Sequence, residues 1–271
     1  MNLKELKKRK HILGYTDEML AEMTGLSPEI IKSYFEETKD IPSDILIELE
    51  SVLMPHRIYP SAMSDSISAV QEALGAYGMQ KEPGEYTADD FFHLPEDLHA
   101  ELIDGVFYRV TAPTPQHQAI TGHLLHLFLH HIFTHDGTCQ PFTAPIAVQL
   151  DEDDKTIVQP DVMIVCDRDK IRKDRIFGAP DLIIEVLSPS SRKRDMQYKL
   201  FKYGEAGVRE YWIIDPEIKT IIQYDLAHLN PPVIYSFADT IPVLIWEGEC
   251  NVNFREIYEA IAFLYESPDE M

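Results

Sequence analysis

The chain has 271 residues, 45% of them hydrophobic and 26% charged, which predicts an ordinary folded protein of one large domain or a domain plus a small appendage. No apolar run approaches the length of a membrane span and the Lys-rich start has no apolar core behind it, so neither anchor nor signal peptide is expected and the cytoplasm is the expected compartment. A formal charge of −22 excludes wholesale binding to a polyanion, and three scattered cysteines, Cys139, Cys166 and Cys250, predict reduced thiols and no zinc site.

In chain order, the first fifty residues read as short helices over Leu3 to Leu13, Thr16 to Met23, Ser27 to Glu36 and Ser43 to Leu53. Thr16 and Ser27 are placed as N-caps, Gly14 and Gly25 as turn residues, and Pro28 at a first helical position. The run Tyr15-Thr16-Asp17-Glu18-Met19-Leu20-Ala21, then Thr24-Gly25-Leu26-Ser27, then Ile30-Ile31 and Tyr34, resembles the Cro/repressor-type helix-turn-helix over residues 1–55. That resemblance makes Ser27 to Glu36 the recognition helix. Over Ser27 to Glu37, one lysine against three glutamates and no arginine is a poor phosphate-facing composition, so contact with a protein partner, including self-association, competes with DNA binding.

Residues 56–85 read as a helical linker, with Ile67, Val70 and Leu74 on one face of a helix within Ser61 to Tyr77. A second domain is expected over 86–265. It begins with a capped short helix at Thr87 to Phe92 and a hairpin from Leu102 to Val110 turning at Asp104-Gly105. Pro115 to Thr134 is a helix with an apolar stripe of Ile120, Leu124, Leu127, Phe128 and Ile132. Its histidines tempt a metal reading, but no nearby acid completes a ligand set, and a polar or half-buried face is expected. Gln140 to Gln149 and Ile157 to Val165 read as strands. The four acids between them, Asp151 to Asp154, lack the glycine and spacing of a calcium loop and read as a solvated hairpin tip. Later come a hairpin of Glu210 to Asp215 with Thr220 to Tyr224 and a closing helix from Phe254 to Tyr265.

The chemistry concentrates between Ile157 and Tyr203. Val162 to Val165 and Leu182 to Leu187 are short apolar runs of the kind covered on both faces, where a carboxylate needs compensation. Asp161 stands at the start of the first and Glu185 inside the second. The compensation for Glu185 is either a basic side chain or a cation held jointly with Asp161. Asp195, Lys199 and Tyr203 follow at i, i+4, i+8 and share one helix face. Ten of the 24 basic residues lie between Arg168 and Lys202, against five acids, which reads either as a phosphate-binding rim or as a solvated loop and helix start.

Several blocks then align with one family. Gln159-Pro160-Asp161, Glu185-Val186-Leu187-Ser188-Pro189-Ser190, Asp195-x-x-x-Lys199-x-x-x-Tyr203 and Glu210-Tyr211-Trp212-Ile213-Ile214-Asp215-Pro216 resemble the Uma-two-like restriction endonucleases of the PD-(D/E)XK superfamily. Upstream, Glu101-Leu102-Ile103-Asp104-Gly105 and Pro113-Thr114-Pro115-Gln116-His117 extend the resemblance, which spans Tyr86 to Leu226. It implies an α/β fold, a restriction-endonuclease-like mixed sheet flanked by helices, and metal-dependent hydrolysis of DNA phosphodiester bonds. Asp161 and Glu185, with the Val186 carbonyl, are then the ligands of Mg²⁺, with Mn²⁺ as substitute, and Glu101 completes the set. The position two after Glu185 is Leu187, not lysine, so Lys199 takes the lysine's role, with Arg194 or Lys193 able to stand in and pairing with Asp195 as the structural alternative. His117 is placed against phosphate or the leaving group, Asp195 orients Lys199, and Tyr203 packs. A homodimer is expected, since cutting two strands with one site per chain needs two chains. The alternative is a DNA-binding or protein-binding regulator on a weak or inactive nuclease fold.

Overall fold

The computed structural model describes residues 3–53, 64–150, 154–188, 191–192 and 194–266. Most of the expected acidic tip (151–153), Lys193, and the first part of the expected linker (56–63) lie outside the described residues. Four helices come first: α1 (Leu3–Ile12), α2 (Asp17–Thr24), α3 (Pro28–Phe35) and α4 (Ser43–Leu53). Their caps form as the sequence predicts, with Thr16 accepting from Met19 N at 3.2 Å, Ser27 from Ile30 N at 3.4 Å, and Gly25 left-handed at φ 67°. Leu6, Leu20, Ile31, Leu49 and Leu53 bury one another.

After α5 (Ser64–Ala76) and α6 (Ala88–Phe92), β1 (Ala100–Ile103) and β2 (Val106–Arg109) form the expected hairpin. Asp104 and Gly105 turn it with φ of 51° and 73°. A Cβ on Gly105 would lie 2.4 Å from the Gly84 carbonyl oxygen, so the site requires glycine. The helix α7 (Pro115–Thr134) has the expected bounds, with Ile120, Leu124 and Phe128 buried.

The two strands expected next each divide. The first gives β3 (Gln140–Thr143) and β4 (Val148–Gln149), and the second gives β5 (Ile157–Val158) and β6 (Val162–Val165). Pro145 and Pro160 fall at the breaks; each lacks the N–H a ladder needs, and at each the chain changes sheets. Then come β7 (Ile176–Phe177), β8 (Leu182–Val186), a π-helical turn (Arg194–Lys199) running into α8 (Leu200–Ala206), β9 (Glu210–Asp215), β10 (Thr220–Asp225), β11 (Val233–Ser236), β12 (Thr240–Pro242), β13 (Asn251–Asn253) and α9 (Phe254–Ile261).

Among the described residues, one sheet has the order β2-β1-β5-β4-β7, a larger one β11-β10-β9-β8-β6-β3, and β12 pairs with β13. The larger sheet is mixed: β8 and β9 run parallel, joined through α8, and its other pairs are antiparallel. This is the mixed sheet flanked by helices that the sequence predicts.

Side-chain alternation decides which way each acid faces. On β8, Leu182, Ile184 and Val186 join the core under α7, while Ile183 and Leu187 join the core shared with α8 and the smaller sheet. Glu185 has the parity of Ile183, Asp161 that of Met163, and Glu101 that of Ile103, so all three acids belong to the second layer. α1 touches the same region, its Arg9 guanidinium 3.9 Å from the Phe201 ring and 3.1 Å from Glu205.

One expectation fails outright. Cys139 and Cys166 are joined as a disulfide, where reduced thiols were expected. The β3–β6 register sets Gln140 opposite Val165, which brings the flanking cysteines face to face; 27 residues of separation hide that neighbourhood in the sequence. Cys250 is free and buried. No helix among the described residues is long and apolar enough to cross a membrane.

Candidate active site

A cavity of about 390 Å³ opens between the two sheets, and Glu101, His117, Asp161, Glu185 and Lys199 all line it. Five elements deliver them. Glu101 comes from β1, His117 from the first turn of α7, Asp161 from the residue before β6, Glu185 from β8, and Lys199 from the end of the π-helical turn. Thr114 fixes the start of α7 by accepting from His117 N at 3.2 Å. Asp161 and Glu185 come from adjacent strands, because Val162 pairs with Ile184.

Lys199 is the hub. Its Nζ lies 2.8 Å from Glu101 Oε1, 2.9 Å from Glu185 Oε1 and 3.4 Å from Asp195 Oδ1, and the residue is only 2% exposed. The expected convergence of Asp195, Lys199 and Tyr203 is present, carried by a turn that is π-helical up to Lys199 and α-helical beyond it. Tyr203 does more than pack: its hydroxyl donates to Glu185 Oε1 at 2.6 Å. Arg194 is also buried, with Nη1 donating to the Arg109 carbonyl at 3.2 Å and Nε 3.3 Å from Glu101 Oε2 without hydrogen-bond alignment. It neighbours Glu101 and Asp195 beside Lys199.

The charges explain one another. Burial pushes the Glu185 carboxyl well above the usual carboxylate range, and Asp195, Asp161 and Glu101 add to that rise while Lys199 opposes it. Burial likewise raises Asp195 against the pull of Lys199 and Arg194. For Glu101 burial is outweighed by Lys199, Arg194 and the Gln159 N–H, and its carboxyl falls below the usual range. Burial works against the Lys199 ammonium, yet Glu101, Glu185 and Asp195 together raise its pKa above that of an ordinary lysine.

The donor set suits a divalent cation. In each of three carboxylates the bonds fall on one oxygen: Val186 N at 2.7 Å and His117 Nε2 at 2.9 Å on Asp161 Oδ2, Lys199 and Tyr203 on Glu185 Oε1, and Gln159 N at 2.8 Å with Lys199 on Glu101 Oε1. The second oxygen of each takes none of these bonds, and Glu101 Oε2 is buried without a hydrogen bond. Carboxylate oxygens converging in this number on one cavity are the hard donors Mg²⁺ prefers. Among the described residues no three His, Cys, Asp or Glu side chains are already gathered as a metal-binding group, and the Lys199 ammonium stands between Glu101 and Glu185.

The expected basic rim does not gather at the cavity. Of the basic residues described between Arg168 and Lys202, only Arg194 and Lys199 line the cavity. Lys170 donates to the Ala179 carbonyl, Arg175 to Asp174 and Gln149, Arg192 to Asp215 and Glu217, and Lys202 to Asp104. The α7 histidines other than His117 do not line the cavity, and the His126 and His130 rings stack 6.4 Å apart on the helix surface.

Comparison with known proteins gives a family and a fold. Residues 88–250 match the family model described as "Uma2: Putative restriction endonuclease". An uncharacterized protein of Synechocystis sp. (strain ATCC 27184 / PCC 6803 / Kazusa) is 27% identical over 131 residues, 48% of this chain and 66% of that protein, just under two thirds of its length. The crystal structure of a "putative nuclease belonging to DUF820" from Anabaena variabilis ATCC 29413 superposes with a TM-score of 0.54 at 20% identity, over 64% of this chain and 97% of that one, and shares the fold.

Proposed function

Because this chain belongs to the Uma2 restriction-endonuclease family, we propose that it hydrolyses DNA phosphodiester bonds at the acid-lined cavity with the help of Mg²⁺ or Mn²⁺. The observation that carries this reading is the convergence of Asp161, Glu185 and Glu101 on one cavity around one lysine, each with one carboxylate oxygen fixed by hydrogen bonds or ion pairs.

Asp161 and Glu185, with the Val186 carbonyl, hold the cation, and Glu101 completes its surroundings. When bound, the metal polarises the phosphate and lowers the pKa of water, supplying the nucleophile at neutral pH. The protein's own groups do the rest. Lys199, with its pKa raised by three carboxylates, keeps its proton and cannot serve as a base; it acts as a fixed positive charge against the developing phosphate charge. Tyr203 and Lys199 hold one oxygen of Glu185 in place. His117, 2.9 Å from Asp161 on the cavity wall, positions that carboxylate and faces the leaving group.

In this reading residues 86–265 are the nuclease domain, 56–85 the linker and 1–55 a helix-turn-helix domain. The exposed positions of α3, Glu29 and Lys32, and the exposed Glu36 that follows it favour a protein partner over DNA for the last. A second reading, a regulator on a weak nuclease fold, draws on the Lys199 ammonium that already bridges Glu101 and Glu185. The test incubates supercoiled and single-stranded DNA with Mg²⁺ or Mn²⁺ and wild type, Asp161→Ala, Glu185→Ala or Lys199→Ala protein. Cleavage by wild type alone, stopped by a chelator, supports the nuclease; four proteins that behave alike refute it in favour of the regulator.

A further inference from the structure

The charges of the cavity and its mouth are segregated. Among the described residues that line it, Glu101, Glu185, Arg194, Asp195 and Lys199 are buried and Asp161 is half-buried. The exposed part of the lining is residues 111–113 from the β2–α7 connection, 144–145 from the β3–β4 connection, His99 and Gln118. None of these is an acid, a lysine or an arginine, and Ala112, Pro113, Ala144 and Pro145 are apolar. The site therefore holds its charged groups beneath an uncharged, partly apolar rim.

Such a rim does not suit a duplex backbone. Duplex DNA carries one negative charge per about 1.7 Å of axis, and proteins hold it largely through lysines and arginines that neutralise phosphates. The two cations of this lining are both engaged: Lys199 by Glu101, Glu185 and Asp195, and Arg194 by Glu101 and Asp195. A net charge of −22 adds repulsion, which a single strand, with its lower charge density, feels less. Attraction at the rim is left to apolar contact with the bases. Base faces are covered by their neighbours in a duplex and open in a single strand. The volume of about 390 Å³ is also that of a pocket for one small-molecule-sized group, such as a single nucleotide.

We propose that the cavity takes single-stranded DNA in preference to intact duplex. One nucleotide enters past residues 111–113 and 144–145, its base against Ala112, Pro113, Ala144 and Pro145 and its phosphate turned inward to Asp161 and Glu185. Asp161 is the half-buried acid of the set, so the phosphate meets it first. This strand preference rests on the nuclease reading, which is what brings DNA to the cavity.

The test uses the full chain and one fluorescently labelled oligonucleotide, free or annealed to its complement. Cleavage is timed in Mg²⁺ or Mn²⁺ with Asp161→Ala as the control for contaminating nuclease. Binding is read by anisotropy in a chelator at about 50 and about 200 mM salt. The single strand should be cut at least about tenfold faster and bound about tenfold tighter, and its binding should weaken less than about tenfold over that salt range, against about 10³–10⁵ for six to ten phosphate contacts. A double variant, Ala112→Lys with Gln118→Lys, adds two cations at exposed rim positions; it should tighten duplex binding and steepen its salt dependence. Duplex cut or bound by wild type as well as the single strand, or duplex binding unmoved by the two lysines, overturns the strand preference; the nuclease reading stands if cleavage is absent from Asp161→Ala. Single-strand binding with no cleavage of either substrate sinks the nuclease reading and keeps the preference. Where the chelated chain binds neither, cleavage alone decides, and neither binding nor cleavage overturns both.

Discussion

Replacing Lys199 with methionine probes the centre of the site without an activity assay. The side chain is of similar length, so the change removes a charge more than a volume. Glu101, Glu185 and Asp195 then remain buried within a shell from which their common cation, at 2.8, 2.9 and 3.4 Å, is gone. Breaking a buried ion pair from one side costs about 3–5 kcal/mol. At about 2–4 °C per kcal/mol for a chain of this size, melting should fall by roughly 6–20 °C. The pH dependence carries a sign. With the ammonium absent, all three carboxyl pKa values rise: Glu185 and Asp195 move further above their unfolded values, and Glu101 loses the cation that holds it below its own. Their stability contribution is then full below about pH 4.3 and is lost as pH rises through the folded-state values. The deficit relative to wild type should therefore be larger near pH 8 than near pH 5, in melts followed by circular dichroism in metal-free buffer. A loss under about 2 °C at the higher pH, or a deficit that grows on acidification, would refute the burial of Lys199 among three acids.

Two further outcomes follow from the same network. The Glu185 pKa is raised in the folded chain, so its contribution is present below the unfolded value and lost as pH rises; a cation that offsets this cost should raise the melting temperature more at pH 8 than at pH 5.5. At one hundred times its Kd the ion should add about 2.7 kcal/mol, and equal shifts at both pH values would count against a Glu185 site. Tyr203→Phe removes the 2.6 Å hydrogen bond to Glu185 Oε1 and should cost about 1.5–3 kcal/mol in chemical denaturation, with an unchanged denaturant slope. A cost below about 0.5 kcal/mol would return Tyr203 to a packing role.

Much of this protein is local and therefore legible in its sequence. The bounds of α7, the caps at Thr16 and Ser27, and the Asp104-Gly105 turn follow from short-range backbone chemistry. Glu185 stands out because a carboxylate inside a buried apolar strand requires a partner, and Lys199 stands out through its i+4 spacing from Asp195. Tertiary structure decided what depends on sheet register. It alone set Cys139 against Cys166, divided two apparent strands at Pro145 and Pro160, and turned Tyr203 from filler into a donor to Glu185. It also tied Lys170, Arg175, Arg192 and Lys202 of the basic cluster into contacts away from the cavity. The physical reason is the same in each case. Periodicity states which face a side chain takes, but its partner comes from a strand or loop tens of residues away, and only the packed sheets fix that pairing.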